Sequence, residues 1–126
     1  MDYNSKDMLR SCVIPVLLGD TPSSHLLASK IFLRTGIISY ICDSKISFLD
    51  YLDPMSKFFL LASESDGDMI CTSLAYLSSN KEYLPIIIPC NEYYRSFVDK
   101  HKNFLEPRFI ISDKVSFFSV PPMSIF

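Results

Sequence analysis

The chain has 126 residues, of which 48% are apolar and 21% charged, and a formal net charge of -2. It is long enough for one domain built on one core, with the composition of an ordinary packed protein. The balance excludes a nucleic-acid face: no Lys/Arg cluster could neutralise a run of phosphates, and the densest basic stretch, Lys100-His101-Lys102, reads as a solvated helix end.

Residues 1 to 11 form a polar lead-in carrying charges of both signs and no apolar signal-peptide core. No apolar run approaches the roughly 20 residues needed to span a bilayer, so a cytoplasmic chain with no membrane partner is expected. Cys12, Cys42, Cys71 and Cys90 are separated by 30, 29 and 19 residues, spacings that fit neither a zinc knuckle nor a redox pair. Free thiols packed in or beside the core are expected, and no metal-ligand set.

Val13 to Leu18 is an unbroken apolar run of strand length, suited to burial on both faces. Gly19-Asp20-Thr21-Pro22-Ser23-Ser24 supplies the turn, and Leu26, Leu27, Ile31 and Phe32 then recur at helical spacing up to Thr35-Gly36, where the Gly fits a C-cap. Ile37 to Cys42 predicts a second strand, closed by Asp43-Ser44-Lys45. Ile46 to Asp53 is ambiguous between a short helix and an irregular crossing, with Pro54 limiting either.

Lys57 to Ala62 reads as a third strand. The acidic stretch from Ser63 to Asp68 then caps a helix over Met69 to Ser79, with Ile70, Leu74 and Leu77 on one face. Leu84 to Cys90 is the next buried strand. Its Pro85 and Pro89 remove ladder donors, so each must sit where a neighbour does not need the N–H. Asn91-Glu92 caps a helix from Tyr93 to Leu105 with Tyr94, Phe97, Val98 and His101 inward, and Arg108 to Ser112 is the last strand. The alternation predicts an α/β fold: a three-layer, Rossmann-like open parallel sheet of about five strands with helices on both faces and right-handed crossovers.

Ligands in such sheets bind beyond the carboxyl ends of the strands, near a switch in strand order. That rule selects Gly19, Asp20, Ser23 and Ser24 after the first strand, Asp43 after the second, and Cys90, Asn91, Glu92 and Tyr93 after the fourth as candidate substrate-binding residues. Gly19 permits close backbone approach. Ser23, Ser24 and the following amides either face an anion at the helix N-terminus or only turn and cap the chain. There is no G-x-G-x-x-G, P-loop or G-x-S-x-G motif, and no catalytic residue is assigned. His25 and His101 stand 76 residues apart, and His25 reads as a partly exposed helix residue rather than a polar contact of the site. Cys90 is the one thiol placed for function, weighed against an inert core thiol.

VIPVLLGD, a helix ending in RTGI, LPIIIPCNEYY and RFIISDKVSFF, in that order, resemble the N-terminal domain of ATP-grasp carboxylate–amine ligases, in particular the D-aspartate ligase-like group. The resemblance covers residues 12 to 118. The family's fourth strand ends in Cys-Gly-Asp followed by aromatics. Here Cys90-Asn91-Glu92-Tyr93-Tyr94 lacks the Gly and carries an acid one methylene longer. The resemblance implies a pre-ATP-grasp domain over residues 12–112. Residues 113–126 would be the truncated approach to a missing ATP-grasp domain, with Pro121-Pro122 preventing a helix of useful length.

The implied reaction joins a carboxylate to an amine through an acyl-phosphate. ATP and Mg2+ belong to the full-length family enzyme and no cofactor to this chain, which is not expected to catalyse alone. The implied partners are a small amino-acid-like substrate and either the ATP-grasp half or a second copy in a homodimer. A stand-alone small-ligand-binding or regulatory module is the alternative. An interaction subunit using an edge strand or Phe109, Phe117, Phe118 and Phe126 is a weaker one.

Overall fold

The computed structural model describes residues 13–63, 66–79 and 83–112. Val13–Leu18 (β1), Ser39–Asp43 (β2), Ser56–Leu60 (β3), Leu84–Pro89 (β4) and Ile110–Ile111 (β5) form one sheet in the order β3-β2-β1-β4-β5. Every pairing is parallel. The helices are Pro22–Thr35 (α1), Phe48–Leu52 (α2), Gly67–Leu77 (α3), Glu92–Lys100 (α4) and Lys102–Leu105 (α5). The Rossmann-like open α/β sheet expected from the apolar periodicity is therefore present.

The side-chain alternation of β1 divides the core. Val13 and Leu17 join Ile41, Ile86 and Ile88 against Ala28 and Ile31 of α1. Val16 and Leu18 face the other way, onto Ile70 and Leu74 of α3 and Tyr94 and Phe97 of α4. Two apolar layers on a doubly covered sheet explain why β1 and β4 read as continuous hydrophobic runs.

Prolines on these central strands are accommodated by register. Backbone N–H groups of a parallel strand alternate between its two neighbours. The Cys90 N–H reaches Leu18 of β1 at 2.8 Å, so Pro85 and Pro89 present their missing donors to the β5 side, where pairing covers only Ile86 and Ile87. The Gly19 N–H reaches Cys42 of β2 at 2.8 Å, so Pro15 also faces β2, whose pairing with β1 begins one residue later at Val16. None of the three prolines breaks a ladder bond.

Several expectations need correction. The inward stripe of α1 is Ser24, His25, Ala28 and Ile31, while Leu26 is 57% exposed; the helix is rotated so that His25 faces inward. The ambiguous stretch from Ile46 to Asp53 contains the helix α2. The single helix expected from Tyr93 to Leu105 breaks at His101, whose φ and ψ of -109° and 25° leave the helical region; His101 is half-buried and packs inward on Phe97, with ring centroids 4.6 Å apart. Phe109 is buried and adds nothing to an exposed aromatic patch. Phe117, Phe118 and Phe126, like Cys12, the lead-in and residues 113–126, lie outside the described residues. Gly36, at φ 78°, is the left-handed C-cap of α1.

Candidate functional site at the carboxyl edge

From β1 the chain steps outward to β2 and β3, then returns through α3 to β4 on the other side of β1. The switch in strand order therefore lies between β1 and β4, and the turns after these strands flank it. Gly19 has a φ of 114°, a conformation open to glycine, and a Cβ there would stand 2.8 Å from Asn91 Nδ2. Close approach of the two turns is what requires Gly19. Asn91 in turn caps α4 by accepting the Tyr94 N–H at 2.9 Å.

Six of the nine predicted residues, Gly19, Asp20, Ser24, Asp43, Cys90 and Asn91, gather at this edge. Asp43 organises it: its Oδ2 accepts the Asp20 N–H at 2.8 Å, and its Oδ1 accepts the Ser44 N–H at 2.7 Å and the Tyr94 hydroxyl at 3.2 Å. Three predicted residues are placed differently. Ser23 is exposed, Glu92 turns outward to Arg95, and Tyr93 packs edge-on against Tyr94 at 4.9 Å.

Ser24 is not aimed at a ligand. Its hydroxyl donates to the Gly19 carbonyl, and Ser24 and Thr21 form a reciprocal capping box. The N-terminus of α1 is thus satisfied internally and sits among carboxylates, an environment suited to a cation rather than an anion. Cys90 is half-buried, and burial pushes its thiol pKa up against the opposing hydrogen bond from Ser24. A thiol so placed is not an activated nucleophile. Cys42, Cys71 and Cys90 are all unpaired thiols.

Sequence reading missed a cluster beside the predicted edge. His25 is 7% exposed, against the expectation of partial exposure. Its Nδ1 lies 2.6 Å from Asp53 Oδ2, and its Nε2 lies 2.9 Å from Asp20 Oδ1 and 3.2 Å from Asp50 Oδ1. Burial lowers the imidazole pKa, but the bonds to Asp53 and Asp20 outweigh it and the net shift is upward. Asp53 is held below its ordinary value: burial opposes, and the bonds from His25, the Met55 amide and the Ser56 hydroxyl prevail. Asp20 is raised by burial and by the neighbouring Asp50 carboxyl, whereas Asp50, despite burial, is lowered by Asp20 and by the Ser47 amide and hydroxyl.

Among the described residues Asp20 Oδ2 is buried with no hydrogen-bond partner, and Asp50 Oδ1 has only the His25 ion pair at 3.2 Å, an arrangement that a cation would satisfy. The sole local clue was Ser47-x-x-Asp50, a capping pattern; nothing in it points to His25.

A cleft of about 470 Å³ opens at the same edge, lined by Asp20, Asp43, Ser44, Lys45, Ile46 and Ser47. A larger depression of about 550 Å³ lies at the opposite end of the sheet, beside Val13, Ile37 and Tyr76, away from the switch point. Lys57 is the one charged side chain among the described residues that line it. No helix among the described residues is long and apolar enough to cross a membrane. Comparison with protein-family models, curated proteins and solved structures finds no match to this chain.

Proposed function

We propose that this chain is the substrate-side domain of an ATP-dependent carboxylate–amine ligase of the ATP-grasp type, holding an amino-acid-like substrate over the carboxyl ends of β1, β2 and β4. The observation that carries the reading is the cleft at the strand-order switch. It combines the carboxylates of Asp20 and Asp43 with the ammonium of Lys45. An amino acid carries one charge of each sign, and this edge offers a partner for both. The motif order from VIPVLLGD to RFIISDKVSFF supports the same assignment.

In this reading the division of labour is spatial. Asp43, fixed by the Asp20 and Ser44 amides and the Tyr94 hydroxyl, positions the substrate amine, and Lys45 the carboxylate. Acyl-phosphate chemistry needs ATP and Mg2+, which a separate ATP-grasp domain would hold, in the same polypeptide or in a partner. The described residues include no glycine-rich phosphate loop.

The test is a titration of the labelled chain with a panel of L- and D-amino acids, followed by backbone amide shifts, with ATP turnover measured in parallel. Saturable shifts at Gly19, Ser44 and Cys90 without turnover are expected. Ligation by this chain alone, or amino acids that leave the edge unperturbed, would overturn the proposal. A stand-alone ligand-binding module is the second reading, favoured by a cleft built from one chain. It is selected if binding occurs at this edge but adding an ATP-grasp domain never yields ligation.

A further inference from the structure

The cluster around His25 has the construction of a metal centre. The ligand atoms of Asp20, His25 and Asp50 all lie within 4.8 Å of one another, with Nε2 at 2.9 and 3.2 Å from the two carboxylate oxygens. Two ligands bound to one tetrahedral ion at lengths of about 2.0–2.2 Å stand about 3.3–3.6 Å apart, so the ring and the carboxylates need part by only a few tenths of an ångström to admit one. The side chains of His25, Asp20 and Asp50 are 9%, 3% and 1% exposed. The independent observation is Asp20 Oδ2, a buried carboxylate oxygen that no donor among the described residues satisfies.

The surrounding shell is complete. Asp53 Oδ2 accepts from His25 Nδ1 at 2.6 Å, which orients the ring so that Nε2 faces Asp20 and Asp50. Asp53 is itself held by the Ser56 hydroxyl at 2.8 Å and the Met55 amide at 2.8 Å. The Ser47 amide and hydroxyl occupy Asp50 Oδ2, leaving Oδ1 directed at the imidazole. A carboxylate–histidine pair of this kind is the usual support of a metal-bound imidazole. Charge points the same way: three ionised carboxylates around one imidazolium leave two buried negative charges uncompensated, and a dication with neutral imidazole leaves one.

We infer that Asp20, His25 and Asp50 bind a divalent transition-metal ion of the zinc class, with Asp53 as the orienting residue. The imidazole selects such an ion over calcium or magnesium, which take oxygen ligands. Loading replaces the proton on Nε2, which is released to solvent. Asp20 also lines the cleft, so this site and the proposed substrate site share a side chain. This site stands independently of the ligase assignment.

The test is equilibrium dialysis of the chelator-stripped full chain against zinc and against cobalt(II), with the visible spectrum of the cobalt form. One ion per chain is expected, without a thiolate charge-transfer band. Asp53→Asn, whose amide oxygen still accepts from Nδ1, should weaken binding about 10- to 100-fold. Asp50→Asn, which removes a ligand, should weaken it at least as much. Absence of saturable binding to the wild-type chain, a thiolate band, or unchanged affinity in Asp50→Asn would each overturn the assignment. None of these readouts involves an amino acid or ATP, so failure here is distinguishable from failure of the proposed function.

Discussion

His25 Nδ1 lies 2.6 Å from Asp53 Oδ2, joining the first turn of α1 to the residue that ends α2, 28 positions later in the chain. Both side chains are 9% exposed. The pair ties the β2–β3 crossover to the helix that follows β1, and so closes one wall of the carboxyl edge.

Breaking that tie should be expensive. Asp53→Ala leaves a buried imidazolium with one partner fewer, and removal of one member of a buried pair costs about 3–5 kcal/mol. Urea unfolding of Asp53→Ala, His25→Ala and the double variant should give a coupling energy of about 1–3 kcal/mol. Additive losses would mean that the two side chains act independently.

The pH dependence of stability, measured with chelator present, follows from the same groups. His25 is raised above its ordinary 6.5, so its contribution is complete below 6.5 and is lost as pH rises through the folded value. Asp50 and Asp53 are lowered below 3.8, so theirs is complete above 3.8 and is lost as pH falls through the folded values. Asp20 is raised above 3.8, so it favours the folded state most below 3.8 and loses that contribution as pH climbs. The unfolding midpoint should therefore be highest in mildly acid solution, above 3.8 and below 6.5, and decline on both sides. His25→Gln should flatten the alkaline limb. An alkaline limb equally steep in this variant would refute the assignment.

Gly19→Ala should destabilise more than Gly36→Ala. Gly36 occupies the ordinary left-handed cap at φ 78°, where alanine costs about 1 kcal/mol. Gly19 combines a φ of 114° with a Cβ only 2.8 Å from Asn91 Nδ2, so strain of about 1–3 kcal/mol is compounded by displacement of the α4 cap. Thermal melts of the two variants provide the comparison, and amide shifts at Asn91 and Tyr94 should move in Gly19→Ala alone.

Tyr94→Phe keeps the fully buried ring and removes the hydroxyl that donates to Asp43 Oδ1 at 3.2 Å. A loss of about 1 kcal/mol in stability is expected. If Asp43 positions the substrate amine, amino-acid binding should weaken as well, whereas Leu74→Ala, a cavity in the α3 face costing about 2–5 kcal/mol, should leave binding by the folded fraction unchanged. Equal binding by Tyr94→Phe and wild type would remove Asp43 from the site.

The sequence alone determined the class of sheet and most of its elements, α2 and the break between α4 and α5 excepted. Six apolar residues before Gly19, the three proline-bounded isoleucines of β4, and the caps at Gly36, Asp66 and Asn91 are local signals, set by burial periodicity and by unsatisfied helix ends. They placed Gly19, Asp20, Asp43, Cys90 and Asn91 at one edge, because every parallel strand delivers its carboxyl end to the same side. Tertiary structure alone decided which way α1 turned, and so brought His25 inward to Asp20, Asp50 and Asp53, and Tyr94 to Asp43, 51 residues away. Helical spacing allowed either Leu26 or His25 to face the sheet. The choice followed from packing Ala28 and Ile31 on β1 and from the carboxylates that α2 brings across, which no local pattern records.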